Sequence, residues 1–430
     1  MRPLQDNNMY QKSVLHNGLR IVTHNIKDRD SLSLGFWVGV GSRYEEARLK
    51  GAAHFLEHIL FKGSCHYSCE EIKMSIEGVG GTLNAFTSEE QTCFYAKIPS
   101  KHLSQTFDVL SDIIIHPKIA VEDIKKEKTV IVEEIKMYRD LPQYFVLELL
   151  DQLLWPGHPL GRSIVGTQET IMNMSGRDLK DFHRTHYMPE NIVIAACGNL
   201  KHDQIVRLAR QKFGRLKKAP QQEFIRVDSN RDRPNANFFR KETEQMHLAL
   251  GMPGYDEWHK DRYVLNLLCV ILGGNMSSRL FVEIREKRGL AYSIGSSYKT
   301  LHDTGLFLIR AGVDNHKIVE ATELILKELD KIRRHGVFQG EFKRGREFLL
   351  GQFLLSLEDT MENMLWVGEG VIAKNEIKTL ENVIKIFEAI KREDIQRVAK
   401  EVFNPKRVSF ALVGPVTHQQ EKKLGSLLGI

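Results

Sequence analysis

The chain has 430 residues, of which 42% are hydrophobic and 27% are charged, with 32 Gly and 12 Pro. This composition excludes disordered, collagen-like and fibrous proteins, and at about 150 residues per domain the length predicts two to four domains. The 61 Lys and Arg against 55 Asp and Glu leave a net charge of only +6, with one basic stretch near 207–218. A nucleic-acid-binding surface needs basic residues clustered on one face, so we expect no nucleic-acid partner.

The chain also lacks the sequence signals of a membrane or secreted protein. No apolar run approaches the roughly 18 residues that a membrane helix needs, and residues 1–10 contain no apolar segment of a secretory signal. The cysteines are few and odd in number, which favours reduced thiols. We therefore expect a cytoplasmic protein with no membrane partner.

The first half of the chain predicts strands and long helices in blocks. Strands are predicted where apolar residues alternate or run together, at 19–23, 32–38, 82–87, 92–98 and 192–197. Helical periodicity is found at about 50–62, 69–78, 100–115, 121–140 and 176–186. Since strict alternation of strand and helix is missing, we expect an α+β fold in which helices pack on a mixed or antiparallel sheet.

The second half repeats the pattern of the first. Four residue pairs are separated by the same 216 positions: Asp178 and Asp394, Tyr187 and Phe403, Pro189 and Pro405, and Gly198 and Gly414. The beginnings match less closely, with 32–38 similar to 246–251 and 54–63 similar to 265–274. A near-constant offset over a whole unit indicates duplication.

The duplication predicts two tandem homologous α/β-sandwich domains. We place the N-terminal domain at 1–216 and the C-terminal domain at 238–430. The segment 217–237 between them is polar and basic and contains Pro220 and Pro234, which is typical of a linker.

The fragment His54-Phe55-Leu56-Glu57-His58 is the strongest chemical signal in the chain. Residues four apart share a helix face, so His54 and His58 can bind one metal ion. Glu57 projects beside His58 and can act as a general base toward a metal-bound water. The alternative is a set of polar residues on a solvated helix face. The neighbours at 52, 53, 55, 56 and 59–61 are apolar, and polar groups among apolar side chains need partners, which favours the metal.

A zinc ion at a catalytic site needs a third protein ligand. In the fourth predicted helix, Glu127, Ile131 and Glu134 are spaced to share one apolar stripe, whereas Glu133 points about 100° away from Glu134. This pattern favours Glu134 as the ligand and Glu127 as its support. Periodicity alone leaves open a second interpretation, a helix stabilised by ion pairs with Lys125, Lys126 and Lys128.

The motif and its spacing resemble the pitrilysin, insulysin and mitochondrial processing peptidase family of inverted-motif zinc peptidases. Members carry H-x-x-E-H, a glutamate about 76 residues later and another seven residues before that one. Here His58 and Glu134 are 76 residues apart and Glu127 precedes Glu134 by seven. The resemblance implies that His54, His58 and Glu134 bind one Zn²⁺ per chain, that Glu57 is the base and that Glu127 supports the site.

The resemblance also implies a substrate site. Asn84-Ala85-Phe86-Thr87 is similar to the family's edge strand, onto which a peptide substrate adds as an extra strand. Without the resemblance, the same residues are equally well an ordinary hairpin.

Two features of the second repeat also match the family. Arg285 and Tyr292 resemble the family's Arg–Tyr pair, which would hold substrate and stabilise an oxyanion; alone, this stretch is typical of a helix end capped by Gly289. The second repeat places Leu265, Leu268 and Cys269 opposite His54, Glu57 and His58, so only the first repeat can bind zinc in this way.

We therefore expect a zinc metalloendopeptidase of the bacterial processing-peptidase-like branch that cleaves peptides or unfolded segments. The resemblance implies a homodimer in which Arg285 and Tyr292 of one subunit face the zinc of the other. Two alternatives remain, a non-catalytic or partner-dependent subunit of a processing-peptidase-like complex and a peptide-binding module. Other polar clusters, at His183 and His186 and at Cys65, His66 and Cys69, are interpreted as structural.

Overall fold

The computed structural model describes residues 10–219, 222–228 and 233–430. Most of the N-terminal segment considered above and Pro220 of the predicted linker lie outside these residues. The chain forms two compact units, each assembled from three segments. Unit 1 contains the residues up to Ile135, Ser163–Ile225 and Leu354–Thr379; unit 2 contains Lys136–Arg162, Arg226–Phe353 and Leu380–Ile430.

Unit 1 is built on a six-stranded sheet with the order β1-β2-β6-β3-β5-β4. Its strands are β1 (Tyr10–Val14), β2 (Arg20–Asn25), β3 (Ser31–Val38), β4 (Thr82–Thr87), β5 (Thr92–Pro99) and β6 (Ile192–Gly198). Only β2 and β6 pair in parallel, while the other neighbours are antiparallel. β6 is buried along its whole length, because it runs through the middle of the sheet. β1 and β4 are the two edge strands.

The helices of the first half of the chain are amphipathic, with one apolar and one polar face. They are α1 (Ala52–Leu60), α2 (Cys69–Ile76), α3 (Leu103–Ile115), α4 (Val121–Asp140), α5 (Pro142–Leu154), α6 (Gln168–Asn173), α7 (Gly176–His186) and α8 (His202–Phe213). α3 shows how they pack, since its Phe107 ring lies 5.3 Å from the Phe36 ring on β3. The predicted helices of this half lie within two or three residues of these bounds.

In its described residues, unit 2 repeats the same sheet without a counterpart of β1. Its order is β7-β11-β8-β10-β9, with β7 (Asn235–Arg240), β8 (Gln245–Pro253), β9 (Ala291–Thr300), β10 (Gly305–Asp314) and β11 (Ser409–Gly414). β7 and β11 pair in parallel, as β2 and β6 do. The prediction of a duplicated α+β unit with a mixed sheet is confirmed. β7 begins inside the predicted linker 217–237.

The helices of the second half follow the same plan. They are α9 (Arg262–Gly273), α10 (Ile318–His335), α11 (Gln339–Ser356), α12 (Thr360–Lys374), α13 (Leu380–Ala389), α14 (Arg392–Val402) and α15 (His418–Leu428), with a π-helix at Phe281–Glu286. No helix within the described ranges is long and apolar enough to cross a membrane.

One helix of the first repeat packs in unit 2, and one helix of the second repeat packs in unit 1. α5 packs on the sheet of unit 2, where its Val146, Leu149 and Leu150 meet Ala249 and other buried residues. α12, at the corresponding place in the second repeat, packs on the sheet of unit 1. Contiguous boundaries such as 1–216 and 238–430 therefore describe the repeats along the chain, whereas the compact units exchange a segment each.

A glycine permits the close approach of α12 to its sheet. A Cβ at Gly368 would lie 2.1 Å from Nε1 of Trp37, a side chain buried on β3. No side chain fits at that distance, so Gly368 lets the helix backbone rest on the indole ring.

Candidate metal centre

The helix that carries the H-x-x-E-H motif is fixed at its first turn. The loop before it reaches Gly51 in the left-handed region, with φ 90°, which favours glycine. The buried carboxylate of Glu45 then accepts hydrogen bonds from the backbone N–H groups of Gly51 and Ala53, both at 2.8 Å. A negative charge at a helix N-terminus also complements the helix dipole. Residue 54 follows directly, so its position is defined by this cap.

The two motif histidines lie side by side on α1. Their ring centroids are 4.7 Å apart, as expected for residues separated by one helical turn. His54 is buried and His58 is half-buried. The remaining faces of α1 are covered by the apolar core of unit 1, where Phe55 and Leu56 are fully buried. The motif therefore does not lie on a solvated helix face.

Glu134 reaches this pair from α4. Its Oε2 lies 3.7 Å from Nε2 of His54 and 3.5 Å from Nε2 of His58, and the three ligand atoms all lie within 4.8 Å of one another. Among the described residues, no other group of three or more His, Cys, Asp or Glu side chains converges in this way. The sequence analysis selected the same three residues.

The separations of these atoms fit a zinc ion. Ligands at about 2.0–2.2 Å from a tetrahedral zinc are about 3.4 Å apart, close to the two separations measured from Glu134. Two imidazoles and one carboxylate are also a donor set of catalytic zinc sites, which leave the fourth position open. The three side chains could thus hold one such ion.

Glu127 supports the arrangement from the same helix. Its Oε2 accepts a hydrogen bond from Nδ1 of His58 at 3.1 Å, which leaves Nε2 of that ring free for a metal. Its Oε1 lies 2.7 Å from Nζ of Lys62. Two of the three lysines that offered an alternative interpretation of α4 have partners other than Glu127 and Glu134, since Lys125 pairs with Glu122 and Lys128 donates to a backbone carbonyl.

Glu57 is held by a residue of the edge strand. The hydroxyl of Thr87 donates a 2.5 Å hydrogen bond to Oε2 of Glu57. Glu57 is half-buried beside His58 and Glu134 and experiences the charge of both. One carboxylate oxygen is therefore fixed by Thr87 while the carboxylate as a whole stays next to the metal ligands.

The electrostatics of the site favour a positive charge between the carboxylates. Burial, together with neighbouring His58, lowers the pKa of His54 to about 4. Burial opposes the charge on His58, but hydrogen bonds with Glu127 and Glu134 outweigh it and raise its pKa to about 9. Burial raises the pKa of Glu57 despite the hydrogen bond from Thr87.

Three of the four residues predicted to bind substrate lie on edge strands, and the fourth, Arg285, lies on the π-helix. Asn84 and Ala85 are on β4, which pairs with β5 on one side only within the described part of unit 1. In unit 2, Tyr292 is 73% exposed near the start of β9. The Arg285 guanidinium lies 5.5 Å from the Tyr292 ring centroid, so the predicted Arg–Tyr pair is brought together. Gly289 has a φ of 58° just after the π-helix that carries Arg285.

The polar clusters that we interpreted as structural have ordinary hydrogen-bond and packing partners. Nε2 of His183 hydrogen-bonds to the carbonyl of Ile114 at 2.8 Å, and His186 packs against Phe182 with ring centroids 4.3 Å apart. Nδ1 of His66 pairs with Asp112 at 2.8 Å. None of these belongs to a convergent group of metal-binding side chains among the described residues.

Three supporting residues were not predicted. Glu45 caps α1, Lys62 pairs with Glu127, and Thr87 binds Glu57. Lys62 is four residues after His58, a spacing that could have placed it beside the motif. The contacts of Glu45 and Thr87 depend on the path of the loop and of the hairpin, for which the sequence carries no periodic signal.

Comparison with known proteins identifies the family. Residues 20–168 match the family model described as Insulinase (Peptidase family M16), and residues 173–349 match the model described as Peptidase M16 inactive domain. The chain belongs to peptidase family M16. The resemblance noted from the sequence is confirmed.

Relatives of similar length carry the same family signal. The uncharacterized zinc protease YmxG of Bacillus subtilis is 35% identical over 95% of this chain and 98% of its own length. An uncharacterized zinc protease of Streptomyces coelicolor is 36% identical over 96% of this chain and 91% of its own. Both alignments span the two repeats.

Solved structures share the fold. A protease from Helicobacter pylori matches with a TM-score of 0.89 at 24% identity, over 94% of this chain and 99% of that one. A chain from Pseudomonas fluorescens described as a peptidase M16 inactive domain also has a TM-score of 0.89, at 19% identity over 95% and 98% of the two chains. At such identities the similarity establishes the architecture.

Proposed function

We propose that the chain is a zinc-dependent metalloendopeptidase that cleaves peptides or unfolded protein segments. The observation that carries this proposal is the convergence of two imidazole nitrogens and one carboxylate oxygen within 4.8 Å, with Glu57 held beside them by Thr87. The full-length relatives named zinc proteases support it.

His54, His58 and Glu134 would hold the ion. A zinc ion bound by three protein ligands supplies a Lewis acid that polarises a water molecule and a substrate carbonyl. Glu127 would keep Nε2 of His58 directed toward the ion, because it accepts a hydrogen bond from Nδ1. Lys62 in turn fixes the second oxygen of Glu127.

Glu57 would move the proton. Its carboxylate accepts a proton from the attacking water and delivers it to the leaving peptide nitrogen, which is general base and then general acid catalysis. Since Thr87 occupies Oε2, Oε1 is the oxygen available for this proton. Burial, which raises the pKa of Glu57, makes the carboxylate a stronger proton acceptor than an exposed one.

The substrate would bind as an added strand. The outer edge of β4 at Asn84 and Ala85 would pair with the backbone of an extended peptide, a mode that depends little on side-chain identity. The N–H of Ala85 donates to Oδ1 of Asn84 at 2.8 Å, so an added strand would displace that amide oxygen. We further propose a homodimer in which Arg285 and Tyr292 of the partner subunit hold the scissile carbonyl, because a phenol and a guanidinium can stabilise a developing oxyanion.

The test is turnover of a quenched peptide library by the purified chain, with and without a chelator and after restoring zinc, together with a native mass. We expect chelator-sensitive cleavage that zinc restores, by a species of twice 49.4 kDa. One bound zinc per chain without cleavage would instead support a subunit that depends on a different partner. Saturable peptide binding that is unchanged by zinc removal, without cleavage, would support a binding module.

A further inference from the structure

A short loop between β3 and α1 contacts both sides of the metal centre. The loop Gly41–Glu45 ends at the carboxylate that caps α1. At its other end, a Cβ on Gly41 would lie 2.1 Å from the carbonyl oxygen of Ser88, so the loop backbone lies directly against the turn between β4 and β5. The two ends of five residues thus contact the helix and the hairpin from which the site is built.

Backbone hydrogen bonds fasten the turn to this loop. The N–H of Ser42 donates to the carbonyl of Ser88 at 3.2 Å, and the N–H of Arg43 donates to the carbonyl of Glu89 at 2.8 Å. Ser88 directly follows Thr87, the residue that binds Glu57. Any displacement of the turn would therefore move Thr87 away from Glu57.

The side chain of Arg43 joins the turn to a third segment. Arg43 is 1% exposed, and its Nη1 donates to Oε1 of Glu90 at 2.6 Å. Its Nη2 donates to the carbonyl of Ile225 at 2.8 Å, and its guanidinium carbon lies 4.1 Å from the ring centroid of Phe224. A planar guanidinium can make several directed hydrogen bonds at its edge while its face stacks on an aromatic ring.

We propose that Arg43 is a positioning residue for hydrolysis, a role that rests on the proposed function. By fixing the turn through Glu90, Arg43 keeps Thr87 against Glu57 and keeps edge strand β4 in place to receive a peptide. The side-chain contacts given above for Arg43 are with Glu90, Ile225 and Phe224, none of which would hold the ion. Removal of Arg43 should therefore separate catalysis from metal binding.

The alternative is a buried ion pair that contributes only to stability. Removing one partner of such a pair destabilises a protein because the other charge stays buried alone, whereas replacing both partners with apolar residues is often neutral. A double substitution therefore distinguishes the two roles. If Arg43 only neutralises Glu90, removing both charges should restore activity as well as stability.

The experiment compares Arg43→Met, the double variant Arg43→Met/Glu90→Met and Phe224→Ala with the unmodified chain. The control is Arg184→Met, which removes a surface arginine paired with Asp181. Bound zinc, melting temperature, hydrogen exchange of residues 82–99 and the kcat and KM for a library-derived peptide are measured for each. Phe224→Ala leaves the charges of Arg43 and Glu90 in place. It replaces Arg43→Met as the test variant if Arg43→Met does not fold.

We expect zinc content to stay at one per chain in all variants. The double variant should melt close to the unmodified chain, yet its kcat/KM should fall at least 10-fold and its hairpin amides should exchange faster. Phe224→Ala should change in the same direction by a smaller factor, and Arg184→Met should match the unmodified chain.

A double variant with unchanged kcat/KM and unchanged hairpin exchange would overturn the proposal. If the unmodified chain binds zinc but cleaves no peptide, the result contradicts the proposed function without testing the role of Arg43. The hairpin exchange then still decides whether Arg43 holds the turn: faster exchange without zinc loss supports its positioning role, and unchanged exchange refutes it.

Discussion

The two units use the same sheet order but differ in the helix that follows the central strand β3 or β8. In α1 of unit 1, positions 54, 57 and 58 are His, Glu and His. In α9 of unit 2 the corresponding Leu265, Leu268 and Cys269 are buried apolar or weakly polar side chains. The fold therefore forms without the polar residues.

The comparison indicates that burying the polar residues of α1 costs folding free energy that packing alone does not require. Burying an imidazole or a carboxylate is unfavourable unless it is paired, and unit 2 shows that leucine satisfies the packing. The polar residues of α1 come with a further set of partners, Glu127, Glu134 and Thr87, that hydrogen-bond or ion-pair with them. Nδ1 of His54 is buried without a hydrogen-bond partner in the described part of the chain. Such a network is typical of a functional site rather than of a stability element.

Glu57→Gln should produce the largest change in activity. The amide is nearly isosteric and can still accept the hydrogen bond from Thr87, but it cannot take a proton, so kcat should fall by about two to four orders of magnitude. Zinc content should stay at one per chain, as measured by metal analysis. This substitution removes the proton acceptor from α1 without disturbing its packing, and a variant with retained turnover would remove Glu57 from the role of base.

Glu134→Gln tests the metal centre itself. The loss of a charged ligand should weaken zinc binding by more than the roughly 10- to 100-fold expected for a supporting residue, as measured by competition with a chromophoric chelator. Glu133→Gln is the matched control, because Glu133 is exposed on the same helix. Equal zinc affinity of the two variants would show that Glu134 is not a ligand.

His186→Val replaces a histidine of the first repeat with the residue type of the second repeat, since Val402 lies 216 positions later. Burial lowers the pKa of His186 to about 4, below the ordinary value of 6.5. The unfolded chain therefore takes up the proton first as the pH falls, so stability is complete above pH 6.5 and is lost between pH 6.5 and 4. This one histidine should cost about 2 kcal/mol of unfolding free energy at pH 5 relative to pH 8.

The measurement is urea unfolding of both proteins at pH 8 and pH 5 with zinc present. We expect the His186→Val chain to lose less stability on acidification than the unmodified chain. An identical loss in the two proteins would show that His186 has the same pKa in the folded and in the unfolded chain.

Much of this comparison was accessible from the sequence. The 216-residue offset predicts the duplicated sheet. Helical periodicity indicates which faces of α1 and α4 carry His54, His58 and Glu134, but only the family resemblance implies that these faces meet, because two helices and a hairpin lie between them in the chain. The exchange of α5 and α12 between the units has no such signal, since both helices are amphipathic wherever they pack. The contacts of Glu45 and Thr87 depend on loop and hairpin geometry, which single residues do not encode.

Tyr187→Phe should have the smallest effect and gives the finest test of the contrast. The corresponding residue of unit 2 is Phe403, and both rings are buried. The Tyr187 hydroxyl has no hydrogen-bond partner in the described part of the chain, and it lies close enough to Glu57 for that charge to contribute to its raised pKa. An unsatisfied buried hydroxyl costs about 1–3 kcal/mol.

Removing this hydroxyl should leave the unfolding free energy unchanged or raise it by about 1 kcal/mol, with kcat unchanged. Thermal unfolding and turnover of the same two proteins measure both quantities, and Tyr144→Phe, at an exposed tyrosine, is the control. A fall in kcat without a fall in stability would contradict this expectation. It would mean that the hydroxyl acts on Glu57 through an ordered water, and that the difference between the repeats at this position serves the chemistry rather than the packing.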